Sequence, residues 1–278
     1  MNLSLTTSDA AYGRNPLSPE GLRPSDYYHG LLDCRVMPTA QDRLHYYHGL
    51  EQVRYLASWV VTVLVSIVLG SVGTILSFVD RKGDVTDSCA RLWARTLLWI
   101  HGVHVTVHGL EGLDPKQRYV FVANHNSQLD IPALMVALPM RFRMFAKQSL
   151  FHVPFIGWYM RRVGYVPVVR GGGATDFQYA AQQILHGASM LVFPEGTRTG
   201  ETGVARFRKG GVYLARSANV PLVPVALINS GRLLPRGKIW VNLGLVEVRV
   251  GQPIAANESE SLAVLAERCR QRVAELTL

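Results

Sequence analysis

The stretch "NHNSQLD", residues 124–130, sets a histidine and an aspartate five positions apart, directly after the apolar run "YVFVA". A carboxylate bonded to one ring nitrogen fixes the imidazole tautomer and stabilises the imidazolium, which leaves the other nitrogen to take up a proton. His125 and Asp130 are therefore a candidate base and its orienter. The spacing alone is weak, because nine histidines in a chain of this composition supply about 0.3 such pairs by chance. A structural histidine satisfied by its neighbour is the competing reading. Position favours chemistry. Asp130 precedes "IPALMVAL" and is expected to cap that helix, with Pro132 in its first turn. His125 would close the preceding strand, and the short loop can fold its ring back onto the carboxylate. Ser127, two positions from the base in the same loop, is poorly placed as a nucleophile, and no G-x-S-x-G elbow occurs. The simplest completion is a hydroxyl brought by the substrate.

An anionic substrate fits the surrounding charge. Residues 131–175 contain no acid and six cations, Arg141, Arg143, Lys147, Arg161, Arg162 and Arg170. A second group comprises Arg198, Arg206, Arg208 and Lys209. Between them "FPEGTR" places Glu195, Gly196, Thr197 and Arg198 in a turn after an apolar run, where backbone N–H groups beside Arg198 can cradle a phosphate. For Arg141, Arg143, Arg161 and Arg162 a surface attracted to anionic lipid is an equal alternative.

The elements that must carry these residues are legible in outline. From residue 103 onward, "VHVTVHG", "YVFVA", "MLVFP", "VPLVPVALI" and "LVEVRVG" read as strands. "DIPALMVAL", "FIGWYMRRVG", "ATDFQYAAQQILHG", "KGGVYLARSA" and residues 259–276 read as helices. Their alternation predicts an α/β fold with a mixed, mostly parallel sheet flanked by helices. In such sheets functional residues gather beyond the carboxyl ends of strands, where both motifs fall.

Ahead of this domain, Leu56–Val79 holds no charge in 24 residues. As a helix it would be about 36 Å long, against a hydrocarbon core of about 30 Å. A buried soluble helix of that length would show a polar stripe, so a membrane segment is expected, either spanning or re-entrant. "SCARLWARTLLWIHGV" suits an interfacial amphipathic helix, and the two could form a membrane hairpin. Arg81, Lys82, Arg91 and Arg95 follow the apolar run while Arg43 and Arg54 precede it, which predicts that the C-terminal domain lies on the cytoplasmic face, the inner membrane if the source is bacterial. The expected division is a largely disordered tail over 1–54, membrane-anchoring helices over 55–102 and a catalytic domain over 103–278. The tail carries no visible secretory signal.

Net charge is +9, made of −2 over residues 1–80 and +11 over 81–278. The basic part suits a membrane surface or an anionic substrate, and no reader motif supports nucleic acid. Cys34, Cys89 and Cys269 are far apart, with no CxxC pair, which argues against a zinc site or a disulfide framework and for a reducing compartment.

With these residues in place, the chain resembles the 1-acylglycerol-3-phosphate acyltransferases of phospholipid biosynthesis. "NHNSQLD" and "FPEGTR" stand in the family's order. "KQSLFHVPFIGWYMRRVGYVPVVR" matches a second block at Lys147, Pro154, Gly157, Gly164 and Arg170, and "VPLVPV" matches a fourth at Pro221 and Pro224. "FRKGG" also fits. Ser149 stands where the family has Glu, a change that could alter acceptor preference, and Thr199 where it has Ser. The resemblance implies that His125 is the base and Asp130 its orienter. It implies that Lys147, Arg170, Glu195, Gly196, Thr197 and Arg198 serve the acceptor, lysophosphatidic acid. The donor would be acyl-CoA or acyl-carrier protein, the product phosphatidic acid, and neither a cofactor nor a metal would be required. A transacylase or an acyltransferase for another lyso-lipid would keep the same pair. A non-catalytic lipid-binding membrane protein is the reading from a different class.

Overall fold

The structure is a computed structural model that describes residues 40–80, 83–168, 173–200 and 203–278. Residues 1–39, Arg81, Lys82 and Arg170 lie outside the described residues, and with them most of the expected tail, part of the orientation argument and one expected acceptor residue.

Two helices come first, α1 (Ala40–Leu76) and α2 (Asp84–Ile100). A seven-stranded sheet follows, built from β1 (Val103–His108), β2 (Val120–Ala123), β3 (Phe142–Lys147), β4 (Val166–Val168), β5 (Ser189–Val192), β6 (Leu222–Ile228) and β7 (Gly244–Val250). Its order is β1-β7-β6-β2-β5-β3-β4, and every pairing is parallel except β6–β7. The mixed, mostly parallel sheet expected from the sequence is what forms. The connections include α3 (Asp130–Ala137), α4 (Ile156–Val163), α5 (Ala174–Leu185), α6 (Gly210–Ser217) and a single turn, α7 (Ser230–Leu233). A last helix, α8 (Leu262–Leu276), closes the chain. Central β2 is buried at all four positions, as an unbroken apolar run on a strand covered on both faces should be. Phe121 and Ala123 enter one core with Leu134 of α3 and Leu98 of α2. Val120 and Val122 enter the other with Val212 of α6 and Leu265 of α8.

The helices expected to anchor the chain, over 55–102, pack into the same unit as the sheet. Tyr55–Leu278 form one compact unit, and Ala94 and Leu98 of α2 belong to the core that also holds β2. Arg91, expected at the membrane surface, instead turns inward. It donates to the carbonyls of Met135 and Met140 at 2.9 Å each and to that of Leu138, while Asp87 accepts from its Nε. These groups hold the C-terminal end of α3, the helix whose first residue is Asp130. A cation there also complements the helix dipole.

Helix α1 begins at Ala40, so residues 40–54 of the expected disordered tail are helical. From Gln52 to Leu76 it is long and apolar enough to cross a membrane, with only 17% of its most apolar window buried. What it buries is small or hydroxylated. Ser58, Thr62 and Ser66, spaced by four, face the protein; Thr62 meets His101 at 3.1 Å and Ser66 accepts from the Trp93 indole at 2.9 Å. Gly73 continues the face, where an added Cβ would lie 2.8 Å from the Tyr159 ring. At the helix end Arg162 donates to Ser77 and sits 4.3 Å over the Phe78 ring. Leu56, Val60, Leu64, Val68 and Ile75 point away from the protein. A helix that turns small polar residues inward and large aliphatic residues outward is inside-out for water and suited to lipid.

Candidate active site

Strands β2 and β5 are parallel neighbours, so the loops that follow them leave the same edge of the sheet side by side. One begins with Asn124 and His125, the other with Phe193, Pro194 and Glu195. The first is held at several points. Asn124 donates to the Leu227 carbonyl and accepts from its N–H at 2.9 and 2.8 Å, extending the β2–β6 ladder through a side chain. Fully buried Ser127 donates its hydroxyl to the Leu234 carbonyl at 2.8 Å, which fixes it as a structural residue.

His125 Nδ1 lies 2.7 Å from Asp130 Oδ2. The same oxygen accepts the backbone N–H groups of Asn126 and Ser127 at 2.7 and 2.8 Å. Asp130 is completely buried, and its carboxylate reaches back into the loop, so the capping role expected within its own helix is replaced by this loop-closing one. The Asn126 and Ser127 N–H groups already fix Oδ2 as an acceptor, so Nδ1 must carry the hydrogen in its bond to that oxygen and Nε2 is left as the basic nitrogen. The ring stacks on Phe193, with centroids 4.1 Å apart and planes 19° apart, and among the described residues its Nε2 makes no hydrogen bond. Its side chain is 17% exposed, open on that edge.

Glu195 ties the two loops together. Its Oε2 accepts from the His125 N–H and its Oε1 from the Ala205 N–H, both at 3.0 Å, and Thr199 N–H returns to the His125 carbonyl at 2.8 Å. A carboxylate among the expected acceptor residues cannot itself hold a phosphate and is expected either to hold Arg198 or to bond the loop backbone; both oxygens of Glu195 are engaged with backbone N–H groups beneath the turn. Burial pushes its carboxyl up, opposed by those two backbone bonds and by His125. A carboxyl raised on folding binds its proton more tightly folded than unfolded. Its contribution is therefore most favourable at low pH and declines as pH rises from the ordinary value of 4.5 through the raised one. Glu195→Gln removes this pH dependence and offers one oxygen where two N–H groups need acceptors, at a cost of about 1–3 kcal/mol. Urea midpoints should show the variant less stable near pH 5, with the gap narrowing as pH rises.

Gly196 has φ +74°, a left-handed conformation that favours glycine in this turn, and the Arg208 guanidinium lies close over it. Gly196 and Thr197 are exposed on the turn. Arg198 is half-buried, and among the described residues its guanidinium makes no ion pair or hydrogen bond; its carbonyl accepts from Arg236 at 3.2 Å. Lys147 ends β3, the parallel neighbour of β5, and so is exposed at the same edge as His125 and Glu195. The other described cations of the first group have other employment. Arg141 and Arg143 each lie 3.6 Å from an acid of α2, Asp84 and Asp87, and Arg161 donates to the Phe151 carbonyl. Asn124, Phe193 and Arg236 were not among the residues singled out from sequence.

The model of the family described as Acyltransferase matches residues 104–228, which contain both loops. The chain belongs to the acyltransferase family. This acyltransferase is 31% identical over 223 residues to the chloroplastic 1-acyl-sn-glycerol-3-phosphate acyltransferase BAT2 of Brassica napus, covering 77% of the chain and 63% of that protein. It is 36% identical over 175 residues to a 1-acyl-sn-glycerol-3-phosphate acyltransferase of Chlamydomonas reinhardtii (61% of the chain, 52% of the relative), and 30% identical over 186 residues to the human alpha form (65% and 66%). The chain thus spans about half to two thirds of these curated relatives. The crystal structure of the 1-acyl-sn-glycerophosphate (LPA) acyltransferase PlsC from Thermotoga maritima superposes with a TM-score of 0.71 at 23% identity, covering 81% of the chain and 93% of that structure, which shows the fold.

Proposed function

We propose that this acyltransferase moves a fatty acyl chain from a thioester to the 2-hydroxyl of 1-acylglycerol 3-phosphate, making phosphatidic acid. The observation that carries the proposal is the buried Asp130 held 2.7 Å from His125 Nδ1 while Nε2 faces the open edge. Nε2 takes the hydroxyl proton as the oxygen attacks the thioester carbonyl. The tetrahedral adduct collapses with loss of the thiolate, which takes the same proton back from the imidazolium. Asp130 stabilises that cation between the two transfers. With Ser127 committed to Leu234, the nucleophile is the acceptor's own oxygen. The names of the relatives support the acceptor. Incubating the purified full chain with labelled acyl-CoA or acyl-carrier protein and a panel of lyso-lipids tests the reading. Transfer from phospholipid without any thioester would favour a transacylase instead.

Arg198, with Lys147 and Arg170, is assigned to the acceptor phosphate. Arg198→Ala should raise KM for 1-acylglycerol 3-phosphate about 10- to 100-fold, since a charge-assisted bond is worth about 1.5–3 kcal/mol. A phosphate-free acceptor should be nearly unaffected, and an equal loss on it would remove the phosphate role. Beside the turn, Arg206, Arg208 and Lys209 face Glu267 of α8 around a cavity of about 520 Å³. Cations placed there suit the phosphates of a thioester carrier.

The outward apolar face of α1 supports seating on a membrane, with the helix lying along the protein from Trp59 to Phe78. The lipid acceptor then reaches His125 from the bilayer. The cytoplasmic face is proposed because thioester carriers are found there and because exposed Arg95 follows the apolar segment.

A further inference from the structure

Apart from α1, large apolar side chains are exposed together in the connection from α7 to β7. In "PRGKIWVNL", residues 235–243, Ile239 is 56% exposed, Trp240 46% and Leu243 42%. The tip of a loop facing water carries polar residues at such positions. Arg236 and Lys238, both exposed, flank the patch. The loop is also fastened to α1. The Trp59 indole donates to the Ile239 carbonyl at 2.9 Å, and the Tyr55 and Trp240 rings lie 5.2 Å apart. Trp59 packs in turn 5.3 Å from His101, next to the end of α2, where Trp99 is 79% exposed. Four amphipathic aromatics, Tyr55, Trp59, Trp99 and Trp240, therefore gather at one end of the apolar helix. Tyrosine and tryptophan collect where headgroups meet acyl chains, and nearby cations favour an anionic leaflet.

We propose that residues 236–243 are a second lipid-contact element, seated on an anionic bilayer surface beside α1. Ile239 and Trp240 enter the boundary between headgroups and acyl chains, and Lys238 lies among the headgroups. A protein partner fits the patch less well, because the patch continues the outward apolar face of α1 and is bordered by positive charge. Arg236 carries the contact inward, since it donates to the Arg198 carbonyl at 3.2 Å. Lipid contact and the candidate acceptor turn are thus one hydrogen bond apart, at the level where a lyso-lipid headgroup would arrive. The inference rests on the membrane seating of α1.

The test uses the full chain in vesicles of equal parts phosphatidylcholine and phosphatidylglycerol, with and without brominated acyl chains. Subtracting the emission of Trp240→Phe from that of the wild type isolates Trp240. The expected result is that this difference spectrum loses most of its intensity in brominated vesicles, and that Ile239→Trp in the Trp240→Phe background restores a signal quenched the same way. Lys238→Glu should weaken the quenching in these vesicles and leave it unchanged in pure phosphatidylcholine. If the chain floats with the vesicles and the Trp240 signal keeps its intensity, the loop contact is wrong while the seating of α1 stands. If the chain does not float with them, the membrane reading of α1 fails, and this inference with it.

Discussion

Replacing His125 by alanine is expected to lower kcat/KM for acyl transfer by about 10²- to 10⁴-fold, the range a positioned general base contributes. The fold should survive. The loop is held by the His125 N–H to Glu195 and by Asn124 to Leu227, both of which alanine at 125 retains. The lost ring is partly exposed; it gives up its stacking on Phe193 and its bond to Asp130, whose Oδ2 keeps the Asn126 and Ser127 N–H groups. A thermal melt beside the rate measurement separates the two effects. A well-folded variant with near wild-type transfer would remove His125 from the chemistry.

Asp130→Asn is expected to cost nearly as much for a different reason. Among the described residues Asp130 makes its side-chain bonds through Oδ2, while buried Oδ1 has no partner. An asparagine can therefore keep its oxygen where Oδ2 stands, accept the same N–H groups, and set its NH2 in the unpartnered position. The loop keeps its shape and the imidazolium loses its counter-charge. A fall in kcat of up to about 10⁴-fold is expected from losing that charge, with KM for the acceptor little changed. A large KM effect with kcat preserved would mean that Asp130 shapes the acceptor site instead.

The parts of the site that could be read in the sequence are those whose cause is local. His125 and Asp130 lie in one short loop, and the apolar runs of β2 and β5 announce the strands ahead of both motifs. Strand β3 was not read, because Arg143 interrupts its apolar pattern. That arginine is buried beside Asp87, an acid of α2 far away in the chain. Asn124 and Arg236 escape a local reading for the same reason: their partners, Leu227 of β6 and Arg198 of the second loop, are distant in the chain, and nothing in the local spacing marks them. Arg91 reads as a membrane-facing cation because a charge next to an apolar run gives no sign of the three carbonyls at the end of α3. One non-local contact does leave a local mark. Ser58, Thr62 and Ser66 recur every four residues within the uncharged segment, and that stripe marks the face α1 turns to the protein.

The central claim is that the acceptor's hydroxyl, activated by His125, attacks the thioester directly. It is tested most directly by mixing the purified chain with labelled acyl thioester in the absence of acceptor and following both free thiol and protein-bound label. The expected result is no burst of thiol and no label on the chain until 1-acylglycerol 3-phosphate is added, whereupon thiol and labelled phosphatidic acid appear together. A burst of thiol equal to the enzyme, with the acyl group bound covalently to the chain, would contradict it.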